Sequence, residues 1–393
     1  MMVKVCFVAY ELSNIGGQQK ILATVANELA NYDDLDVSIL LTAREDISKN
    51  ISYDINKKIN ILFDKQIPRG NKDYLPQKIL TKFHKKVFRI KNTKILRRIL
   101  FPSKEIEIYE KFFKKNKFDI IIGVTPRIAA IISMLQINSK KIGWMHNTPE
   151  RYFYLKNDAM WKEEAVYKNL FPNLDRMIVL TDRDKMQYKQ VFNIDPIRIY
   201  NPLTFETKEK TDLNNTGILF IGRIYYQTKG IELLLKSLSI LKKRNKKFKV
   251  NVVGDGTDLK RFKRDVKFLN LENEVTFHGS TQDVLSQYLQ NSILVLPSII
   301  EGFGLVVTEA MEAGLPVVSY RTEGPSEIIS NKIDGFLIEK FDFNKFADSI
   351  ELLMDDKMLK NEMRTNAIKK AQNFSINNIG AEWRKVLIGV MTD

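Results

Sequence analysis

The chain has 393 residues, 62 Lys+Arg against 47 Asp+Glu for a formal net charge of +15, 44% hydrophobic residues and a single cysteine. At about 150 residues per domain this is enough for two or three domains with real cores, and the apolar content excludes a disordered chain. Cys6 alone excludes an internal disulfide and a thiolate metal site, and the three histidines, at 84, 146 and 278, are too scattered for a His-rich metal centre.

The lone cysteine fits a reducing, cytoplasmic setting. The opening MMVKVCFVAYEL is too short for a signal peptide or a spanning helix, and no run of about 18 apolar residues follows, so a soluble chain is expected. Its positive charge implies an anionic partner: nucleic acid, a phosphorylated substrate or a lipid surface.

Short β-rich runs alternate with helical patterns. Strands are predicted at residues 3–10, 37–41, 119–123, 141–144 and 176–180, and the pattern restarts at 218–221, 250–253, 274–278, 293–296 and 317–319. Continuous Val/Ile/Leu runs of this kind mark parallel strands buried on both faces. Amphipathic helices are predicted between them, as at 230–241 and 258–269, which makes the fold class α/β with helices on both faces of parallel sheets. Residues 200–215, Asn201-Pro202 and then ETKEKTDLNN, read as an uncommitted polar linker between two such domains, whose strand ends would face a central cleft. Residues 374–391 read as one amphipathic helix with Trp383 as its anchor. Residues 45–115 are irregular and strongly basic.

Four segments carry chemistry. In ILVLPSIIEGFGLVVTEAMEAG (293–314) a buried strand runs through a loop into a helix that stops at Gly314 before a proline. Gly302 and Gly304 leave backbone N–H groups open at a helix start, where a phosphate is favoured. Glu301 and Glu309 suit sugar or ribose hydroxyls, which donate hydrogen bonds to carboxylates; the alternative is that Glu309 is an ordinary exposed helix residue. In ILFIGRIYYQTKG (218–230) Arg223 follows a strand and Lys229 precedes a helix, either a diphosphate clamp or two unrelated surface cations. VNVVGDG (250–256) is a further strand-to-glycine turn. After the first strand, Gly16-Gly17 opens a helix and offers N–H groups to an anion, but the loop lacks the G-x-G-x-x-G of a nicotinamide site.

Together these segments resemble the retaining nucleotide-sugar glycosyltransferases of family 4, which have the GT-B fold. The likeness rests on E-x7-E (Glu301, Glu309) within EGFGLVVTEAMEAGLPVV, on FIGR…KG, VVGDG and Gly16-Gly17, with WMHN (His146) and IYNPL in support. It is convincing over 217–340 and thinner over 3–30 and 142–202. It implies two Rossmann-like domains, 1–201 on the acceptor side and 202–374 binding a nucleotide sugar, with 375–393 crossing back to the first. It further implies that Glu309 takes the ribose hydroxyls, that Glu301 contacts the transferred sugar, and that backbone groups of Gly302, Phe303, Gly304, Leu305 and Val306 hold sugar and phosphates. Arg223 and Lys229 would neutralise the leaving diphosphate. Gly16, Gly17 and Gly254 would line the donor site, and His146 would sit near the reacting sugar unless it is a satisfied core histidine.

The one Asp-x-Asp, Asp182-Arg183-Asp184, reads as a helix start capped by Thr181 or Asp182, so the expected transfer is metal-independent and needs no cofactor. The expected activity is retaining transfer of a hexose or N-acetylhexosamine, from a UDP-sugar by family likeness, to a glycan or polyprenyl-diphosphate-linked acceptor of a bacterial surface polysaccharide such as a capsule or exopolysaccharide. A catalytically silent GT-B partner protein and a nucleotide-sugar epimerase of the same fold are the alternatives, and the intact donor-site residues argue against both.

Residues 78–98 hold nine Lys/Arg and no acid, with Ile79, Phe83, Val87 and Ile90 at helical spacing. One helix is predicted here. Its basic face (Lys82, Lys85, Lys86, Arg89) is either a solvated surface or one that meets an anionic membrane, which would place the chain on the inner face of the cell membrane. No nucleic-acid motif accompanies the charge, so nucleic acid is not expected as a partner.

Overall fold

The interior strands of this chain are apolar on both faces because they are covered on both faces. A computed structural model describes residues 2–14, 16–43, 51–67, 75–86, 90–156, 160–212 and 214–392. Two compact units emerge, Met1–Pro202 with Ile376–Asp393, and Leu203–Ser375. In the first, β1 (Val3–Ala9), β2 (Leu35–Leu41), β3 (Asn60–Phe63), β4 (Ile120–Gly123), β5 (Lys140–Trp144), β6 (Arg176–Val179) and β7 (Ile197–Arg198) form a sheet in the order β3-β2-β1-β4-β5-β6-β7. In the second, β8 (Gly217–Ile221), β9 (Lys249–Val253), β10 (Val275–Gly279), β11 (Ile293–Leu296), β12 (Val317–Tyr320) and β13 (Gly335–Ile338) run β10-β9-β8-β11-β12-β13. Every described pairing is parallel: Val5 sits between Val37 and Ile120, and Ile218 between Val250 and Ile293.

All ten predicted strands are present, each within two residues of its expected bounds. β3, β7 and β13 were not foreseen. β3 (NILF) is an edge strand with an exposed Asn60 and Phe63, β7 is two residues long, and both lack the buried run that marks an interior strand. The helix after Lys229 begins at Ile231 rather than Gly230, because Gly230 adopts φ 59°, a left-handed conformation that glycine tolerates.

Two organisational expectations are corrected. Residues 78–98 do not form one helix. The described residues show a helix Leu75–Lys86 and another at Thr93–Leu100, whose first turn is capped by Asn92 Oδ1 accepting from the N–H groups of Lys94 and Ile95. Ile90 lies outside both helices and donates its N–H to His84 Nδ1 at 2.9 Å. Residues 203–212 of the supposed linker are not uncommitted either. They strap the Leu305–Ala313 helix: Thr207 N–H and Lys210 Nζ both reach Glu312 Oε1, at 3.0 and 2.7 Å, and Thr211 N–H donates to Ala313 O at 2.9 Å. Glu312 is buried, so its charge needs these donors.

The final helix, Ile376–Thr392, belongs to the first unit. Trp383 is buried against Trp144, ring centroids 4.7 Å apart, and Phe7 at 6.2 Å, while Arg384 clamps Asp34 with its nearest contact at 2.6 Å.

Candidate active site

In the second unit the strand order reverses between β8 and β11, and open parallel sheets bind ligands at the carboxyl ends of strands flanking such a point. Arg223 follows β8; it is exposed and makes no hydrogen bond or ion pair among the described residues. Lys229 ends the single turn Tyr226–Lys229. A Cβ on Gly230 would lie 1.8 Å from Pro297 O, so this turn is pressed against the end of β11. That approach carries Lys229 Nζ to Glu301 Oε2 at 2.6 Å across 72 residues of sequence, and Ser298 Oγ donates to the same oxygen at 3.1 Å. Cation and carboxylate hold one another in place at the mouth of the sheet.

Gly304, at φ 88°, turns the loop into the Leu305–Ala313 helix with no side-chain cap. The first-turn N–H groups, those of Leu305 and Val306 among them, lack intrahelical acceptors and face the positive end of the helix dipole. The Phe303 ring is not part of this surface. It is 3% exposed and packs edge-on against Phe374, centroids 6.0 Å apart, so only its backbone remains near Gly302 and Gly304.

Glu309, two turns along, is 6% exposed, which overturns the reading of an ordinary exposed helix residue. Tyr288 OH donates to Oε2 at 2.7 Å and Thr204 Oγ1 donates to Oε1. Burial, with Glu309 beside it, pushes the Tyr288 phenol well above its usual range, so the hydroxyl stays protonated as a donor. A carboxylate offers about four lone-pair positions, and these hydroxyls take two of them. Neither Tyr288 nor Thr204 was legible in the sequence: they stand 21 and 105 positions from Glu309 with no motif around them. Gly254 has a structural task. Its N–H donates to Gly279 O at 2.7 Å, and a Cβ there would lie 2.0 Å from Gly222 O, so the ends of β8 and β9 meet backbone to backbone.

The first unit holds the remaining candidates. Its strand order reverses between β1 and β4. Gly16 precedes the Gly17–Leu29 helix, and its N–H is taken by Tyr53 OH at 2.9 Å, a partner the sequence did not disclose. His146, just past β5, is buried against Trp144, ring centroids 4.3 Å apart, yet among the described residues its Nε2 has no hydrogen-bond partner, so it is not a satisfied core histidine. Burial pushes its pKa down from 6.5 to about 3, which keeps the imidazole neutral. An unfolded histidine binds a proton below its ordinary value, so the stability contributed at His146 is present above pH 6.5 and is lost as pH falls toward 3. The expected slope is ~1.4 kcal/mol per pH unit across that window. Denaturant titrations of wild type and His146→Gln at pH 7.5 and 5 check this: the difference in stability between the two pH values shrinks in the variant, and an equal drop in both proteins refutes the assignment.

Asp182 and Asp184 begin the Asp182–Phe192 helix, where Thr181 Oγ1 accepts from the Asp184 N–H at 2.9 Å. Asp184 is buried, and the pair stands in the first turn of this helix, as the sequence predicts. Among the described residues no three His, Cys, Asp or Glu side chains converge as a metal site. Of the basic candidates, Lys82 is exposed, whereas Lys85 is not available as a surface cation: its Nζ pairs with the buried Glu163 at 2.7 Å. The side chain of Lys86, and Arg89 altogether, lie outside the described residues. No described helix is long and apolar enough to cross a membrane.

Two Rossmann-like parallel sheets, one carrying a Lys–Glu pair and an uncapped helix start at its switch point, make up the GT-B fold expected from the sequence. Residues 204–374 match the family model for glycosyl transferases group 1, so the second unit is a domain of that family. An uncharacterized glycosyltransferase of Haemophilus influenzae is 28% identical over 392 residues, 98% of this chain and all of that one. A Campylobacter jejuni enzyme is 25% identical over 399 residues, covering 99% of both chains: the GalNAc-alpha-(1->4)-GalNAc-alpha-(1->3)-diNAcBac-PP-undecaprenol alpha-1,4-N-acetyl-D-galactosaminyltransferase. Among solved structures, TarM of Staphylococcus aureus in complex with fondaparinux, alpha-GlcNAc-glycerol and UDP superposes with a TM-score of 0.77 at 17% identity, covering 98% of this chain and all of that one.

Proposed function

We propose that this chain is a retaining glycosyltransferase that moves a hexose or N-acetylhexosamine from a UDP-sugar to a glycan or polyprenyl-diphosphate-linked acceptor in bacterial surface polysaccharide synthesis, without a metal ion. The observation that carries the reading is the Lys229–Glu301 contact of 2.6 Å beside the uncapped Leu305–Ala313 helix. Departure of a nucleoside diphosphate builds negative charge on its β-phosphate. Lys229, Arg223 and the helix N-terminus are the groups that would stabilise that charge in the transition state. Glu301, released in part from Lys229 as the diphosphate arrives, would accept hydroxyls of the transferred sugar, and Glu309 those of the ribose. With cations in this role, the charge that a bound metal carries in other transferases is supplied by side chains. The Campylobacter relative, whose name specifies an undecaprenol-linked acceptor, and UDP in the TarM complex support the acceptor and the nucleotide.

Thermal stabilisation tests the donor half. A ligand that binds only the folded state stabilises by mass action, about 2.7 kcal/mol at a hundred times Kd. UDP is expected to raise Tm more than GDP, ADP or CMP, with the same shift in EDTA. A shift abolished by EDTA overturns the metal-independent reading, and no shift with any nucleotide favours a silent GT-B protein.

A further inference from the structure

The Leu75–Lys86 and Thr93–Leu100 helices pack against one another in the first unit. Their inner sides are fixed. His84 is fully buried, with Ile90 N–H on Nδ1 and Lys162 O 3.1 Å from Nε2; Lys85 pairs with Glu163; Leu96 and Leu100 are buried, and Arg127 holds the Leu100 carbonyl at 2.7 Å.

The outer side has a different composition. Ile79, Leu80 and Ile95 are 60%, 43% and 51% exposed. Beside them stand Lys82, Lys94, Arg97 and Arg98, all exposed and none in an ion pair among the described residues. Residues 75–102 contain no Asp or Glu. A single exposed aliphatic residue is ordinary. Three on two adjoining helices, in company with four cations that have no ion-pair partner among the described residues, make the exposed surface of this helix pair both apolar and positive.

We propose that this two-helix face docks on an anionic bilayer surface, with Ile79, Leu80 and Ile95 entering the headgroup boundary and Lys82, Lys94, Arg97 and Arg98 meeting lipid phosphates. The apolar side chains gain from leaving water and the cations from the negative surface potential. Nucleic acid fits less well, because its bases stack on aromatic rings and the exposed apolar groups here are aliphatic. The pinned inner face means that docking requires no unfolding of either helix. None of these residues is among those assigned to the donor site, so docking and transfer are tested separately.

The test is partition of the full chain onto vesicles of phosphatidylcholine alone and of phosphatidylcholine with about 30% phosphatidylglycerol, at 0.15 M salt. Wild type is expected on the anionic vesicles only. At about fivefold per cation, Lys94→Glu/Arg97→Glu/Arg98→Glu lowers the partition coefficient by about a hundredfold or more. Ile79→Asp/Ile95→Asp, which leaves the cations in place, lowers it by about tenfold or more. Thermal melts show that each variant is folded, and UDP binding measured on the same samples stays at wild-type strength. Absence of wild type from anionic vesicles, or partition unaffected by either variant, overturns the proposal. Retention of random duplex DNA in place of vesicles, lost in the same variants, reassigns the face to nucleic acid.

Discussion

Lys229→Ala is expected to lower kcat for sugar transfer by about 10²–10³-fold, the range found when one preorganised donor to a developing anion is removed. The geometry sets this size. Lys229 Nζ is held 2.6 Å from Glu301 Oε2, and its stem is kept in place by a turn that cannot retreat, since Gly230 already sits against the Pro297 carbonyl. The cation therefore needs little reorganisation when charge develops on the leaving diphosphate, and its removal is not made good by water. Glu309→Gln should act differently. It keeps the volume and a carbonyl oxygen but loses the charge that strengthens hydrogen bonds from ribose hydroxyls, so the donor KM rises while kcat changes less. Steady-state kinetics of both variants over a range of donor concentrations check the pair, with thermal melts confirming that each is folded. Turnover by Lys229→Ala within about threefold of wild type would remove this lysine from the donor site.

Trp383→Ala is expected to destabilise the first unit by about 3–5 kcal/mol. Trp383 is 1% exposed and meets both Trp144 and Phe7, so truncation opens a cavity where the last helix joins the β1–β5 side of the sheet. All three tryptophans of the chain, Trp144, Trp161 and Trp383, lie in the first unit. In the variant, fluorescence of Trp144 and Trp161 still reports that unit alone, while far-ultraviolet circular dichroism reports both. Urea titration should show the fluorescence transition moved to lower denaturant and a second-unit transition left in place, since the two units need not unfold as one. A change below about 1 kcal/mol would mean that the final helix does not depend on this side chain.

How much of this was legible beforehand varies by element. Interior strands were read within a residue or two because a strand covered on both faces leaves a continuous apolar run, as in Ile293–Leu296 and Ile120–Gly123. The edge strands Asn60–Phe63 and Ile197–Arg198 carry no such mark, being half covered and short. The basic stretch misled because helical spacing continues through Ile90, whereas the chain leaves the helix there. The Asn92 cap, and an N–H of Ile90 spent on a buried His84, are local bonds that periodicity does not register. Lys85 counted as one more surface cation until Glu163, 78 positions away, proved to be buried beside it.

The sequence by itself determined that this is an α/β chain of repeated parallel βα units and that its chemistry gathers around residues 293–314, because hydrophobic period, glycine turns and helix starts are local properties of a chain. It is silent on which carboxylate meets which cation. Only the adjacency of β8 and β11 brings Lys229 to Glu301, only the strap over the Leu305–Ala313 helix brings Thr204 to Glu309, and only the packing at the end of β5 buries His146 with its Nε2 unpartnered among the described residues. Contacts across 72 or 105 residues follow from strand order and burial. No window along the chain contains them.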